Sequence, residues 1–281
     1  MSYRSPAYNH PEIKEVLDEL VDAARSILAE NFIGAWLQGS SATGHFDEHS
    51  DIDFAIGVEN DLSDDELSAL QEFHPWLFSY DSPWAKHLEG SYFPREILRD
   101  YNLSGTDIWY LDHGMTNLER SAHDNTVVVK WILRDRGITL AGPDPSSLID
   151  PIPPAAVRLD TYQAFEKWGR VIIEDPNQIG NRFYQTFAVL SYCRMLHALA
   201  TAEIGSKRDG TEWAKANLPG HWHGLIDRAW AGRPNPALSV TQPADPDDLR
   251  RTVSFVRKCL QEASRMLDSL GLVPESDANA A

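Results

Sequence analysis

The stretch DIDFAIGV at positions 51–58 limits the fold more than any other part of the chain. Ile52, Phe54, Ile56 and Val58 alternate with the period of a β-strand and share one face, while Asp51 and Asp53 fall on the other. Carboxylates embedded in an apolar strand cost stability, so their presence wants a reason. Two of them at i and i+2 point to the same side and can share divalent cations. Just upstream, IGAWLQGS (33–40) reads as a short strand ending in a Gly39-Ser40 turn, with ten residues between that turn and Asp51. Such a turn lets the backbone approach a phosphate closely, and its amides and the Ser40 hydroxyl can bind phosphate oxygens. Taken singly, an Asp-x-Asp pair is most often solvated surface and Gly-Ser turns are common. The joint pattern is far more specific.

The flanking elements are consistent with a mixed sheet. Ile13, Val16, Leu17, Leu20, Ala24, Ile27 and Leu28 recur at helical spacing across 11–30. Ser63 followed by Asp64, Asp65 and Glu66 reads as an N-cap with an acidic first turn, opening a helix to about Phe78. Further strands are expected at 86–93 (KHLEGSYF), at 107–111 and at 138–145, with a helix over 124–136. Glu89 is the acidic residue of the 86–93 strand, suited to hold a metal or to accept a hydroxyl proton. Mg²⁺ fits such hard oxygen donors, because it keeps water and substrate phosphates as its remaining ligands.

The prolines of PDPSSLIDPIPP (143–154) forbid both helix interior and central strand, and mark a linker. Beyond it the periodicity is helical over roughly 156–174, 178–203, 207–217, 221–231 and 246–270. The expected architecture is α+β: an α/β domain over 1–150, an all-α helical-bundle domain over 151–272, a flexible tail over 273–281, and a site in the cleft between the domains. A net charge of −17 argues against nucleic acid as a partner, since phosphate backbones demand a surplus of Lys and Arg. It suits a cationic small molecule, although solubility explains it equally well. Without a hydrophobic leader or an apolar run of membrane length, and with Cys193 and Cys259 reading as small buried hydrophobes, a cytoplasmic protein with no membrane partner is expected.

WLQGSSATGHFDEHSDIDFAIGV resembles the nucleotidyltransferase motif of the DNA polymerase β superfamily, and in particular that of the streptomycin/spectinomycin (aminoglycoside) adenylyltransferases. LRDRGITLAGPDPSSLIDPIP resembles the junction between that family's domains, and VLSYCRMLHALATAEIGSKRDGTEWAKANLP its C-terminal helical domain. The resemblance implies a nucleotidyltransferase α/β domain followed by a helical domain that closes on nucleotide and substrate. It implies Asp51 and Asp53 as Mg²⁺ ligands, Gly39 and Ser40 as phosphate-binding residues, and Glu89 as catalytic base and further metal ligand. It also implies that Lys207, in GSKRDG, reaches the phosphates of ATP; as a lone lysine it would read as a solvated helix start. The implied reaction moves AMP from ATP to a hydroxyl of a small acceptor, as in antibiotic resistance. Two departures count against streptomycin: DHGMTNLERSAHDN lacks the tryptophan that streptomycin-modifying members carry, and Tyr184 stands where they have an acidic residue.

Other residues have plainer readings. His123-Asp124-Asn125 can line the acceptor pocket, but capping of the following helix is the simpler role. Glu119 and Arg120 read as a surface pair. His45, His49, His221 and His223 offer no zinc spacing, and Trp168, Trp213, Trp222 and Trp230 read as core or interdomain packing. Arg194, in an apolar helix, calls for an acidic partner. The competing functional reading is a nucleotide-binding, antitoxin-like protein of the same fold without turnover.

Overall fold

The computed structural model describes residues 11–43, 46, 50–233 and 240–274; His45, His49 and most of the tail expected to be flexible lie outside them. The chain divides into two compact units that meet between Ile152 and Pro153.

In the first unit the elements run α1 (Pro11–Leu28), β1 (Phe32–Leu37), α2 (Gly39–Ala42), β2 (Ile52–Val58), α3 (Asp64–Phe78), β3 (Leu88–Pro94), α4 (Arg95–Arg99), β4 (Ile108–Leu111), β5 (Leu118–Ser121), α5 (Val127–Arg136) and β6 (Ile138–Ala141). One sheet takes the order β5-β4-β3-β2-β1-β6. Its β2–β3 pair is parallel and its other pairs are antiparallel. Strand β5 is too short and too charged for its period to show in the sequence.

Apolar layers cover both faces of this sheet. Ile13, Leu17 and Leu20 of α1 and Leu70 and Leu77 of α3 pack with Ile52, Phe54, Ile56 and Val58. On the opposite face Trp36, Ala55 and Phe93 pack with Leu98, Leu133 and Ile149. Every residue of β2 except Asp53 is therefore buried. The face that carries Asp53 is a second core layer rather than solvent, and Asp51 stands just before the strand.

Helix α3 begins as its sequence dictates, with Ser63 and Glu66 forming a reciprocal capping box. Helix α5 does not. Its cap is Thr126, whose hydroxyl accepts from Val129 N at 3.1 Å, so the capping role read for His123-Asp124-Asn125 is overturned. The proline-rich segment is seated on this unit rather than hanging free. Trp36 Nε1 donates to Pro143 O at 2.9 Å, and Ile149 is buried.

The second unit holds α6 (Pro154–Glu174), α7 (Arg182–Thr201), α8 (Lys207–Asn217), α9 (His223–Gly232) and α10 (Pro246–Leu270). Helix α7 packs against each of the other four, which is why it is buried on several sides and weakly amphipathic. Its contact with α8 requires Gly210, where a Cβ would lie 2.6 Å from the backbone of Arg194. Arg194 itself is half-buried. Cys193 and Cys259 are free thiols within this core. Trp222 is buried, and Trp168 and Trp213 pack partly buried against the core. Trp230 departs from the packing role, being exposed with the Arg233 guanidinium 4.9 Å from its ring. No helix among the described residues is long and apolar enough to cross a membrane.

Candidate active site

At one end of the sheet β1 and β4 finish while β2 and β3 begin, so four strand ends deliver polar side chains to one place. The parallel register sets Asp53 opposite Glu89, and Ile52 N is fixed to His87 O at 2.8 Å. Asp51 precedes the pair by two residues, and its charge is felt at both carboxylates. The structure thus brings together Asp51, Asp53 and Glu89, the three acidic residues singled out in the sequence.

Gly39 and Ser40 reach the same place from β1. They open the short helix α2 rather than forming a plain turn, and Gly39 adopts a left-handed φ of +56°. A Cβ on Gly39 would lie 1.9 Å from Asp53 Oδ2, so both the conformation and the space demand glycine. The backbone N–H of Ser40 bonds the Asp53 carboxylate. The Ser40 hydroxyl is buried and finds no hydrogen-bond partner among the described residues. A buried polar atom without a partner is costly and suggests a ligand group.

Three further groups border this center: Tyr110, which the sequence does not single out, and His123 and Asp124, for which the sequence allows a place in the acceptor pocket as the lesser reading beside helix capping. Tyr110 OH donates to Glu89 Oε1 at 2.7 Å and lies 3.0 Å from Asp112 Oδ1. His123 Nε2 is 3.6 Å from the same Glu89 oxygen. Asp124, nearly buried, accepts from Ser91 Oγ at 3.0 Å and lies 3.5 Å from Gln38 Nε2. Asp124 thus borders the carboxylate center instead of capping α5. No signal in the sequence marks Tyr110: it comes beside Glu89 through its register on β4, where it pairs with Ser91, two residues beyond Glu89 on β3.

Burial dominates the electrostatics, with crowding of like charge added to it. Asp53 is held well above the ordinary carboxylate range, first by burial and then by Glu89, Asp51 and Asp124, with the Ser40 amide pulling the other way. Burial also raises Glu89, against the Tyr110 hydrogen bond and His123, while Asp51 and Asp112 add to the rise. Asp124 is raised by burial and by Glu89. Such a cluster calls for a cation. The oxygens of Asp51, Asp53 and Glu89, beside the unpartnered Ser40 hydroxyl, are of the hard kind Mg²⁺ takes, but among the described residues the groups whose donor atoms lie close enough to share one ion are Asp51 with His87 and His113, and Glu89 with His123 and Asp124.

Lys207 belongs to the second unit. It is the first residue of α8, behind the Ser206–Asp209 capping box, with its ammonium 5.4 Å from the centroid of the Phe187 ring. Arg120 does not pair with Glu119: it forms an ion pair with Asp61 and lies over the Trp109 ring at 4.6 Å. His221 and His223 join no metal-capable cluster among the described residues.

Comparison with known proteins gives a match to each unit. The nucleotidyltransferase domain model matches residues 17–91, a span that contains Gly39, Ser40, Asp51, Asp53 and Glu89. The aminoglycoside adenylyltransferase C-terminal domain model matches residues 147–259, which contain Lys207. A curated Escherichia coli protein, aminoglycoside (3'') (9) adenylyltransferase, is 22% identical over 269 residues, covering 88% of this chain and 94% of its own. Among solved structures, spectinomycin adenyltransferase from Enterococcus faecialis, crystallized with ATP and spectinomycin, shares the fold. Its TM-score is 0.65 at 16% identity, over 88% of this chain and 99% of that one.

Proposed function

We propose that this chain, which is similar to the nucleotidyltransferase domain over 17–91 and to the aminoglycoside adenylyltransferase C-terminal domain over 147–259, is a nucleotidyltransferase that transfers AMP from ATP to a hydroxyl of a small cationic acceptor of the aminoglycoside or aminocyclitol class. The observation that carries the reading is the register of Asp53 against Glu89, with the Gly39 backbone tight against Asp53. Asp51 and Asp53 would hold Mg²⁺, with Glu89 as a further ligand. When bound, the ion supplies neutralization of the phosphate oxygens and orients the α-phosphorus.

The chain's own groups supply the remainder. Gly39 and Ser40 offer an amide edge and a hydroxyl to the phosphates. Glu89 accepts the proton of the attacking hydroxyl. As that oxygen bonds to the α-phosphorus, the bond to the bridging oxygen breaks and pyrophosphate leaves. Tyr110 orients Glu89 by its hydrogen bond to Oε1. Lys207 brings a cation from the helical domain to the phosphates, and Gly39, Ser40 and Lys207 together form the proposed nucleotide-binding set. The net charge of −17 favors a polycationic acceptor over RNA, and spectinomycin, seen in the Enterococcus relative, is the first to test. Two free buried thiols support action in a reducing cytoplasm.

The test is transfer of label from α-labelled ATP or GTP to a panel of aminoglycosides, spectinomycin and cell metabolites, alongside calorimetry of ATP binding with Mg²⁺ and with EDTA. Transfer is expected with ATP and Mg²⁺, and Asp53→Ala should abolish it while leaving the fold intact. Equal ATP affinity with and without the metal would remove Mg²⁺ from the scheme. Tight binding without transfer to any acceptor would favor the nucleotide-binding protein without turnover.

A further inference from the structure

Beside the carboxylate center lies a histidine pair that the proposed reaction does not use. His87 is the residue before β3, and His113 lies two residues past the end of β4. His87 Nδ1 and His113 Nε2 are 2.9 Å apart, and their rings stack with centroids at 5.1 Å. Both nitrogens face one oxygen: Asp51 Oδ1 is 3.7 Å from His87 Nδ1 and 3.2 Å from His113 Nε2. Three single donor atoms thus form a triangle with edges of 2.9, 3.2 and 3.7 Å.

That triangle is the size a metal ion sets. With metal–ligand distances of about 2.1 Å, adjacent ligands are about 3.0 Å apart in an octahedron and about 3.4 Å apart in a tetrahedron. A histidine pair joined only by an N–H···N hydrogen bond would need no carboxylate oxygen facing both nitrogens. The side chains are 40–45% exposed, so an ion can enter from solution. Two imidazoles and one carboxylate on one side of an ion leave its other positions open. They favor the late first-row divalent ions over Mg²⁺, for which imidazole is a poor ligand.

We propose that Asp51, His87 and His113 form a second metal site, which takes a late first-row divalent transition ion such as Zn²⁺ or Co²⁺ and adjoins the Mg²⁺ site through Asp51. His113 lies between the spans matched by the two domain models, while His87 falls inside the first. A second metal-capable group, Glu89, His123 and Asp124, serves as an internal control.

The experiment uses the full chain, stripped with EDTA and free of nucleotide, titrated with Co²⁺ and followed by visible absorption and calorimetry. With millimolar Mg²⁺ present to occupy the carboxylate center, one saturable equivalent is expected, with the bands of a nitrogen-ligated low-symmetry ion, displaced by Zn²⁺. His87→Ala and His113→Ala should each weaken Co²⁺ binding by more than about tenfold, since even outer-shell partners are worth that much. His87→Gln and His113→Gln, which keep polarity and bulk, should lose it likewise while circular dichroism stays native. His123→Ala should leave Co²⁺ affinity unchanged. Native affinity in the His87 and His113 variants, or loss in His123→Ala instead, overturns the site. Asp53→Ala separates this result from the proposed reaction. It should lose Mg·ATP binding while retaining the Co²⁺ bands, and either result can fail without the other.

Discussion

Glu89 gathers the interactions that decide whether a carboxylate acts as a base. Its neighbors Tyr110 and His123 hold the charged form, while burial and the surrounding acids push its pKa upward. A raised carboxylate takes a proton more readily, which improves it as a base provided it is still ionized at working pH. Glu89→Gln preserves size and can still meet Tyr110, yet removes the proton acceptor. Single-turnover transfer is expected to fall by about 10²–10⁴-fold, with Mg·ATP affinity reduced less than in Asp53→Ala. Equal losses in binding and turnover would make Glu89 chiefly a metal ligand. Turnover near that of the wild type would take it out of the active site.

At the scale of elements, the seating of α3 on the sheet has a polar key. His74 on α3 is buried, with Nε2 2.9 Å from the Tyr92 hydroxyl on β3. Burial lowers its pKa from 6.5 to about 4. The unfolded histidine takes its proton near pH 6.5, and the folded one does not until about pH 4. Between those values the unfolded state binds more protons, so this contribution is fully present above pH 6.5 and is lost as pH falls toward 4. The span corresponds to roughly 3 kcal/mol. His74→Gln keeps a hydrogen-bonding group for Tyr92 but does not titrate. Denaturant unfolding from pH 4 to 7 should show the gap between variant and wild type changing across that window. A constant gap would mean that His74 titrates normally in the fold.

For the whole molecule the question is whether the helical unit takes part in nucleotide binding. A lysine bonded to phosphate contributes on the order of 1.5–3 kcal/mol. Lys207→Ala should therefore weaken Mg·ATP about tenfold or more by calorimetry, while acceptor affinity changes little. The same variant should lose part of the thermal stabilization that saturating Mg·ATP gives the wild type. Unchanged ATP affinity would return Lys207 to the role of a helix-start residue packed near Phe187.

Much of this molecule was legible in its sequence, because the signals concerned are local. The 3.6-residue period of α1, the Ser63–Glu66 capping box, the apolar run of β2 and the exact span of α8 each follow from residues within a few positions of one another. Asp53 and Glu89 could be chosen for the same reason, as carboxylates in otherwise apolar strands. What tertiary structure decided depends on pairing between distant segments. Tyr110 meets Glu89 because β4 pairs antiparallel with β3, and no local pattern carries that register. Asp124 reads as a helix cap until Ser91, 33 positions away, supplies its partner and Thr126 takes the cap. The Asp53 face looks like solvent until α4, α5 and the proline-rich segment cover it with a second apolar layer. His87 and His113 converge on Asp51 because strand order, not sequence spacing, fixes which strand ends meet at one end of the sheet.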